Sequence, residues 1–198
     1  MQKMTKWTLD QNRSEFLFQI RHKLAVSVFG KFKSFGAIVY TVSNELKTSQ
    51  INFWIDVSSI STVDHDHSEM LKGKECLDLK QYELITFTST TIGDSNIIGN
   101  YGIEGQLNMK GISKIIQLNV QPIRMSKEGD HYNTARFKIT GKLNRLDWGI
   151  GWNSIIETTG IMQSEEVFID CELELNNVGE MVITLESDES LMKSLSLN

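Results

Sequence analysis

The sequence contains little cysteine and little proline. Its 198 residues include two cysteines and one proline. Cys76 and Cys171 are too few for the disulfide framework that stabilises many small secreted domains, so we expect two free thiols. The single proline, Pro122, leaves long stretches free to pair in a sheet, because proline cannot donate a hydrogen bond to a neighbouring strand. These absences favour a β-rich fold held together by its own core.

Long apolar runs and an excess of cations are also missing. No stretch approaches the roughly 18 apolar residues of a transmembrane helix, so we expect no stable membrane insertion. The first residues lack the apolar segment of a signal peptide, which predicts a cytoplasmic protein. The 20 basic and 25 acidic residues give a net charge of -5, which argues against nucleic acid as a partner.

Signatures of catalysis and of metal binding are absent as well. The chain has no Gly-x-Ser-x-Gly, no His-Glu-x-x-His and no Walker loop, so we predict neither an enzyme nor a bound cofactor. Residues 64–67 alternate aspartate with histidine. No third or fourth ligand follows nearby, which favours a solvated loop over a zinc site.

What dominates the chain is the alternation of apolar and polar residues. In the stretch 14–22, Phe16, Phe18, Ile20 and His22 fall on one face, and the residues between them fall on the other. A period of two is typical of a half-buried β-strand. A sheet that buries such a face only against itself must close into a barrel.

The same alternation recurs along the chain. Residues 30–42 predict a strand in which Phe32, Ile38, Tyr40 and Val42 share a face. Later strands are predicted to face inwards with Phe53, Ile55, Phe87, Leu107, Met109, Phe137, Ile139, Arg145, Val167, Ile169, Cys171 and Leu173. We count about eight strands, the smallest number that commonly closes around one small ligand. The predicted fold class is therefore all-β, an antiparallel barrel.

Three segments interrupt this pattern. Residues 58–78 have helical composition, so we expect a short helical insert that is mobile and borders the barrel entrance. Residues 125–133 are predicted to form a polar loop, and the chain from Asn176 onwards a tail after the last strand. With no repeat and no linker, residues 1–198 are predicted to form a single domain.

Several stretches together resemble a known family. They are the opening segment 7–24, the segment 30–36, the hairpin of 85–89 and 105–114, and the late segment 144–150. These residues resemble the YceI-like family, whose lipocalin-like antiparallel barrels are associated with polyisoprenoid lipids. The resemblance covers residues 7–175 and leaves 176–198 as a C-terminal extension. It departs from the family pattern at 67–71 and at Glu83, where a proline is usual.

The resemblance implies a hollow barrel that binds an amphiphilic lipid, of isoprenoid or fatty-acyl type, without transforming it. The candidate ligand-binding residues are Phe16, Phe18, Ile20, His22, Phe32, Phe53, Ile55, Phe87, Leu107, Met109, Phe137, Ile139 and Arg145. An inward arginine needs a partner. We predict that Arg145 pairs with Asp147 in preference to a ligand headgroup.

Two other functions stay open at this point. A filled barrel would act as an interaction module, through a homodimer or a protein partner bound at a sheet face that includes Trp54 and Phe168. A polar pocket would suit a small-molecule enzyme with His22 as the acid and Arg145 as the clamp. A chain-shaped cavity, a solid core and a polar pocket distinguish the three functions.

Overall fold

Most of the chain is β-strand. The computed structural model describes residues 2–22, 27–42, 45–128, 131–151 and 163–183. The strands are β1 (Gln2–Leu9), β2 (Glu15–His22), β3 (Val28–Phe32), β4 (Phe35–Val42), β5 (Gln50–Asp56), β6 (Ile60–Thr62), β7 (Leu84–Asp94), β8 (Tyr101–Met109), β9 (Ile112–Glu128), β10 (His131–Asn144) and β11 (Gln163–Ile183). Within these ranges there is one α-helix, α1 (His65–Lys72).

The strands form one antiparallel sheet that closes into an eight-stranded barrel. β1 and β2 follow each other along the chain, and both pair with β11. Beside them, β4 pairs with β1 and β3 pairs with β2. In the next position, β5 pairs with β4 and β6 pairs with β3. β1 and β2 together form one barrel strand that is broken in the middle, as do β3 with β4 and β5 with β6. The pairing of β1 with β11 closes the ring, so the predicted all-β antiparallel barrel is confirmed.

The breaks lie side by side across three neighbouring strands. Gln11 donates from its side-chain Nε2 to the carbonyl oxygen of Lys33 at 2.6 Å. The backbone N–H of Lys33 donates in turn to the carbonyl oxygen of Ser59 at 3.2 Å. The three bends therefore support one another, and they divide the barrel into an upper and a lower half.

The bend at residues 33–34 also reverses the side-chain alternation. Phe32 and Phe35 are both buried on the inner face, and Ala37 and Val39 follow on that face. The prediction was wrong for three residues that it placed with Phe32: Ile38, Tyr40 and Val42. The residues inserted at the bend change the phase, and a change of phase moves every following side chain to the other face.

The predicted helical insert is confirmed. Asp64 caps α1, its side chain accepting a hydrogen bond from the N–H of Asp66 at 2.9 Å. The prediction of a solvated loop at 64–67 was therefore wrong, because these residues cap and begin the helix. No group of three metal-ligating side chains converges in the described part of the chain. Within the same residues, no helix is long and apolar enough to cross a membrane.

Two segments predicted to be irregular are strands. β9 runs to Glu128 and β10 begins at His131, so most of 125–133 belongs to a two-stranded ribbon. Its described side chains within 125–133 are exposed or half-buried and none is fully buried, so no alternation of apolar and polar residues marks these strands. β11 continues past Asn176 to Ile183 and pairs with β1, with a bulge between Lys6 and Trp7. Residues 184–198 of the predicted tail lie outside the described residues.

The prediction of two free thiols is confirmed, and both thiols are buried. Burial raises the pKa of Cys76 to about 11 and also raises the pKa of Cys171. The thiolate is the nucleophile. Iodoacetamide at about pH 8 should therefore leave the native protein unlabelled and label both cysteines in denaturant without reductant. A denatured protein whose mass is two hydrogens lower and which takes no label would contradict this prediction.

Candidate ligand-binding cavity

The barrel is hollow and contains two chambers with apolar walls. The upper chamber has a volume of about 110 Å³. Its wall consists of Phe16, Ala37, Val39, Leu46, Ile51, Phe53, Ile55, Ile85, Phe87, Ile103, Leu107, Ile116, Leu118, Val120, Phe137, Ile139, Ile169, Cys171, Leu173 and Leu175. The lower chamber also has a volume of about 110 Å³. Its wall consists of Phe16, Phe18, Ile20, Phe32, Ile55, Ile60, Leu71, Leu77, Ile85, Leu107, Met109, Leu143, Arg145, Ile150, Val167 and Ile169.

Phe16 stands between the two chambers and contributes to both walls. Its ring stacks on Phe53 with centroids 5.6 Å apart and meets the edge of Phe32 at 5.7 Å. Phe35 completes the cluster, 6.0 Å from Phe16. Such aromatic pairs hold their geometry more firmly than aliphatic contacts do. The cluster therefore forms a waist at the level where the strands bend.

Empty apolar space lowers stability. By analogy with cavities made in protein cores, a void of 110 Å³ costs about 2–3 kcal/mol relative to a filled core. The two chambers together therefore lower the free energy of unfolding by about twice this amount. A barrel built only to be stable would fill them with larger side chains, so the cavity is a feature that a function must explain.

The structure places the candidate residues on these walls with one exception. Every candidate named from the sequence lines one chamber or the other, apart from His22. The His22 side chain lies outside what the structure describes. That the wall residues bind a ligand stays a prediction, since the cavity alone identifies no ligand.

Sequence reasoning missed two kinds of wall residue. Ala37 and Val39 were missed because the bend before β4 reverses the alternation. Leu46, Leu71 and Ile150 come from turns and from α1, where no strand periodicity points inwards. Only the bend could have been suspected, from the polar pair at 33–34.

Arg145 lies at the lower end of the cavity, but its partner is not the predicted one. Its Nη1 donates to the carbonyl oxygen of Ile150 at 2.6 Å, whereas Asp147 is exposed. Burial lowers the pKa of Arg145. The pairing with Asp147 was wrong because a 3-10 turn, Arg145–Trp148, ends the strand and changes the direction of the side chains. Arg145 thus fastens this turn beneath the lower chamber.

Removing that guanidinium should weaken the fold. Arg145→Met keeps the aliphatic stem and loses the hydrogen bond to Ile150, so we expect a loss of about 2–3 kcal/mol in the free energy of unfolding. Urea titration followed by circular dichroism measures it. Asp147→Asn is the matched control and should stay within about 0.5 kcal/mol of wild type. If Asp147→Asn lost more free energy of unfolding than Arg145→Met, Asp147 would be the partner of Arg145 after all.

A third cavity, called the mouth below, adjoins the upper chamber. This mouth has a volume of about 430 Å³ and shares Val39, Leu46, Phe137 and Leu175 with the upper chamber. Its other lining residues are Trp7, Thr41, Glu45, Lys47, Ser49, Tyr101, Pro122, Met125 and Ala135. The helical insert borders the lower chamber, at the opposite end of the cavity from this mouth. The insert was predicted to border the barrel entrance, but it does not line this mouth. Its predicted mobility stays a prediction.

The outer face of the barrel carries the two residues considered for a protein interface. The Trp54 ring covers Gly36 of the neighbouring strand so closely that an added Cβ would lie 2.3 Å from it. The residue is 37% exposed. Phe168 is half-buried on β11. A homodimer through this wall stays a prediction.

Comparison with known sequences adds to this geometry. The profile of a family described as the YceI-like domain matches residues 7–175. The chain is also 28% identical over 174 residues to the UPF0312 protein SAS2572 of Staphylococcus aureus strain MSSA476. That alignment covers 87% of this chain and 98% of the staphylococcal protein.

Solved structures show the same fold at low identity. Burkholderia cenocepacia BcnA is 23% identical with a TM-score of 0.70, over 84% of this chain and 98% of that one. A polyisoprenoid binding domain from Saccharophagus degradans, implicated in plant cell wall breakdown, is 16% identical with a TM-score of 0.61, over 86% and 98%. The Campylobacter jejuni YCEI protein is 22% identical with a TM-score of 0.61, over 79% and 88%.

Proposed function

The chain belongs to the YceI-like domain family, and from that premise we propose that it binds one amphiphile with a long apolar chain. The chain of this ligand, isoprenoid or fatty-acyl, occupies the two chambers. The protein carries or sequesters the ligand and does not transform it. We propose the cytoplasm as the place where it does so.

The observation that carries this proposal is the pair of apolar chambers in line. Burial of apolar surface contributes roughly 25 cal/mol per Å² and has no directional requirement. A tube with aromatic and aliphatic walls therefore selects for an apolar chain of suitable width and length. The polyisoprenoid-binding description of the Saccharophagus domain, which shares this fold, supports an isoprenoid ligand.

The two rival functions have less support. A filled-barrel interaction module requires a solid core, whereas this barrel contains two chambers. An enzyme acting through Arg145 requires a guanidinium turned towards the ligand. The Nη1 of Arg145 is instead bonded to Ile150, and its aliphatic stem contributes to the apolar wall.

A neutral apolar fluorophore tests the proposal. Titration of the delipidated protein with N-phenyl-1-naphthylamine should give a saturable rise in fluorescence with one site per chain. Added long-chain isoprenoid should displace the dye, because both compete for the same walls. A signal that never saturates, or that isoprenoid does not reduce, would count against a ligand cavity.

A further inference from the structure

The polar groups of the cavity are concentrated at one end. Both chambers have apolar walls, and at the lower end the guanidinium of Arg145 is turned to the carbonyl oxygen of Ile150. At the mouth, by contrast, hydroxyl and charged side chains contribute to the lining. A ligand headgroup buried in the upper chamber would lose its hydration without gaining a partner, and at the lower end it would compete with the Ile150 carbonyl oxygen for the guanidinium. The headgroup therefore belongs at the mouth, with the apolar chain below it.

The charges at the mouth disfavour an anion. Among the described residues that line the mouth, Lys47 is the only lysine or arginine. Its Nζ lies 2.7 Å from Oδ2 of Asp94. This hydrogen bond raises the pKa of Lys47. Glu45 also lines the mouth and its charge acts on Lys47 in the same direction, so two carboxylates and one ammonium give this group a net charge of -1. A diphosphate placed here would meet a cation that is already paired and an additional negative charge.

The neutral groups at the mouth suit an uncharged head. Thr41 Oγ1 accepts a hydrogen bond from Trp7 Nε1 at 3.2 Å, which leaves its own O–H able to donate. The Ser49 hydroxyl is buried and has no hydrogen-bond partner among the described residues. An unsatisfied buried hydroxyl is unfavourable, and a small rearrangement on ligand entry would give it an acceptor. Hydroxyls of this kind pair with an alcohol or a carbonyl oxygen.

We propose that the ligand enters tail first and that the mouth selects an uncharged, hydrogen-bonding head against an anionic one. This inference rests on the proposed binding of an apolar-chain amphiphile and specifies its chemical class. The favoured ligands are long-chain alcohols and carbonyl compounds. Diphosphates and carboxylates on the same chain bind more weakly, because Asp94 and Glu45 repel them and hold the nearby ammonium.

The test compares two ligands with one chain, farnesol and farnesyl diphosphate. Displacement of N-phenyl-1-naphthylamine gives the affinity for each. Wild type should bind farnesol at least about fivefold more tightly, the effect of one unfavourable charge interaction of moderate strength. Raising the salt concentration should narrow the difference, because salt screens exposed charges.

Asp94→Asn releases Lys47 and should raise the affinity for farnesyl diphosphate about fivefold, with the affinity for farnesol changed less than about twofold. Asp170→Asn is the matched control. It breaks a comparable exposed pair, Asp170 with Lys138 at 3.1 Å, on the outer wall of the barrel. Circular dichroism confirms that both variants are folded.

The outcomes separate the two proposals. Tighter binding of farnesyl diphosphate than of farnesol by wild type would overturn the selection of an uncharged head and leave the binding function intact. So would equal responses of Asp94→Asn and Asp170→Asn. If neither ligand binds wild type and the fluorophore does not bind either, the proposed function itself fails.

Discussion

Ala37→Phe is expected to abolish ligand binding and leave the barrel folded. Ala37 is the smallest side chain on the upper chamber wall, and it lies opposite Phe53 on the neighbouring strand. A phenyl ring at this position has about 110 Å³ of empty space to enter, so it fills the path of the ligand without displacing neighbours. We expect at least about a hundredfold loss of affinity, which corresponds to about 2.8 kcal/mol, together with unchanged or higher thermal stability.

Ile38→Phe provides the matched control for this variant. Ile38 is the next residue of the same strand and lies on the opposite face, so the same ring points away from the cavity. Its affinity for N-phenyl-1-naphthylamine should equal that of wild type. An Ala37→Phe protein that is folded and binds as wild type does would show that the upper chamber is not the ligand site.

Gly105→Ala is expected to cost about 3 kcal/mol or more of the free energy of unfolding, at the upper end of what overpacking does. A Cβ on Gly105 would lie 2.3 Å from the Phe87 ring and 2.6 Å from the carbonyl oxygen of Thr88. The ring could turn aside, but the backbone carbonyl cannot move without disturbing the pairing of β7 with β8. Urea titration at equilibrium measures the loss.

Gly93→Ala is the control, because a Cβ there meets nothing within 4 Å. That variant should stay within about 0.5 kcal/mol of wild type, or gain slightly through the unfolded state. The double variant Gly105→Ala, Phe87→Leu should recover only part of the loss, since the Thr88 carbonyl remains. A mild effect of Gly105→Ala alone would mean that β7 yields more easily than this geometry implies.

The barrel could be predicted because apolar and polar residues alternate with a period of two along its strands. In β8, Ile103, Leu107 and Met109 alternate with polar residues, and all three are buried. The same rule placed Phe137 and Cys171 correctly on neighbouring strands. A strand that buries one face shows this alternation in its sequence, whatever the identity of the ligand.

The rest was not predicted because it depends on phase and on loops. The bend at 33–34 changes the phase of β4, and only the hydrogen bonds of Lys33 to the neighbouring strands show that it is a bend. Arg145 turns to a carbonyl in a 3-10 turn, which alternation does not describe. The mouth is assembled from Glu45, Lys47 and residues far away in sequence, so no local pattern marks it.

A hollow barrel also has a stability that depends on its occupant. A ligand that binds only the folded state stabilises it in proportion to the logarithm of its concentration over its dissociation constant. The two apolar chambers make the empty protein the less stable form. Thermal unfolding should therefore shift upwards when the ligand is added to wild type, and much less in Ala37→Phe.

Native mass spectrometry of the protein purified without detergent, followed by organic extraction of the same sample, tests the central claim most directly. The chain alone has a mass of 22.6 kDa. We predict an additional species that carries one lipid per chain, and an extract whose lipid has one long apolar chain and an uncharged head. The lipid should be absent from Ala37→Phe and present in Ile38→Phe. A protein that shows only its bare mass, even after incubation with liposomes containing isoprenoid alcohols, would contradict the claim that this barrel is a lipid-binding cavity.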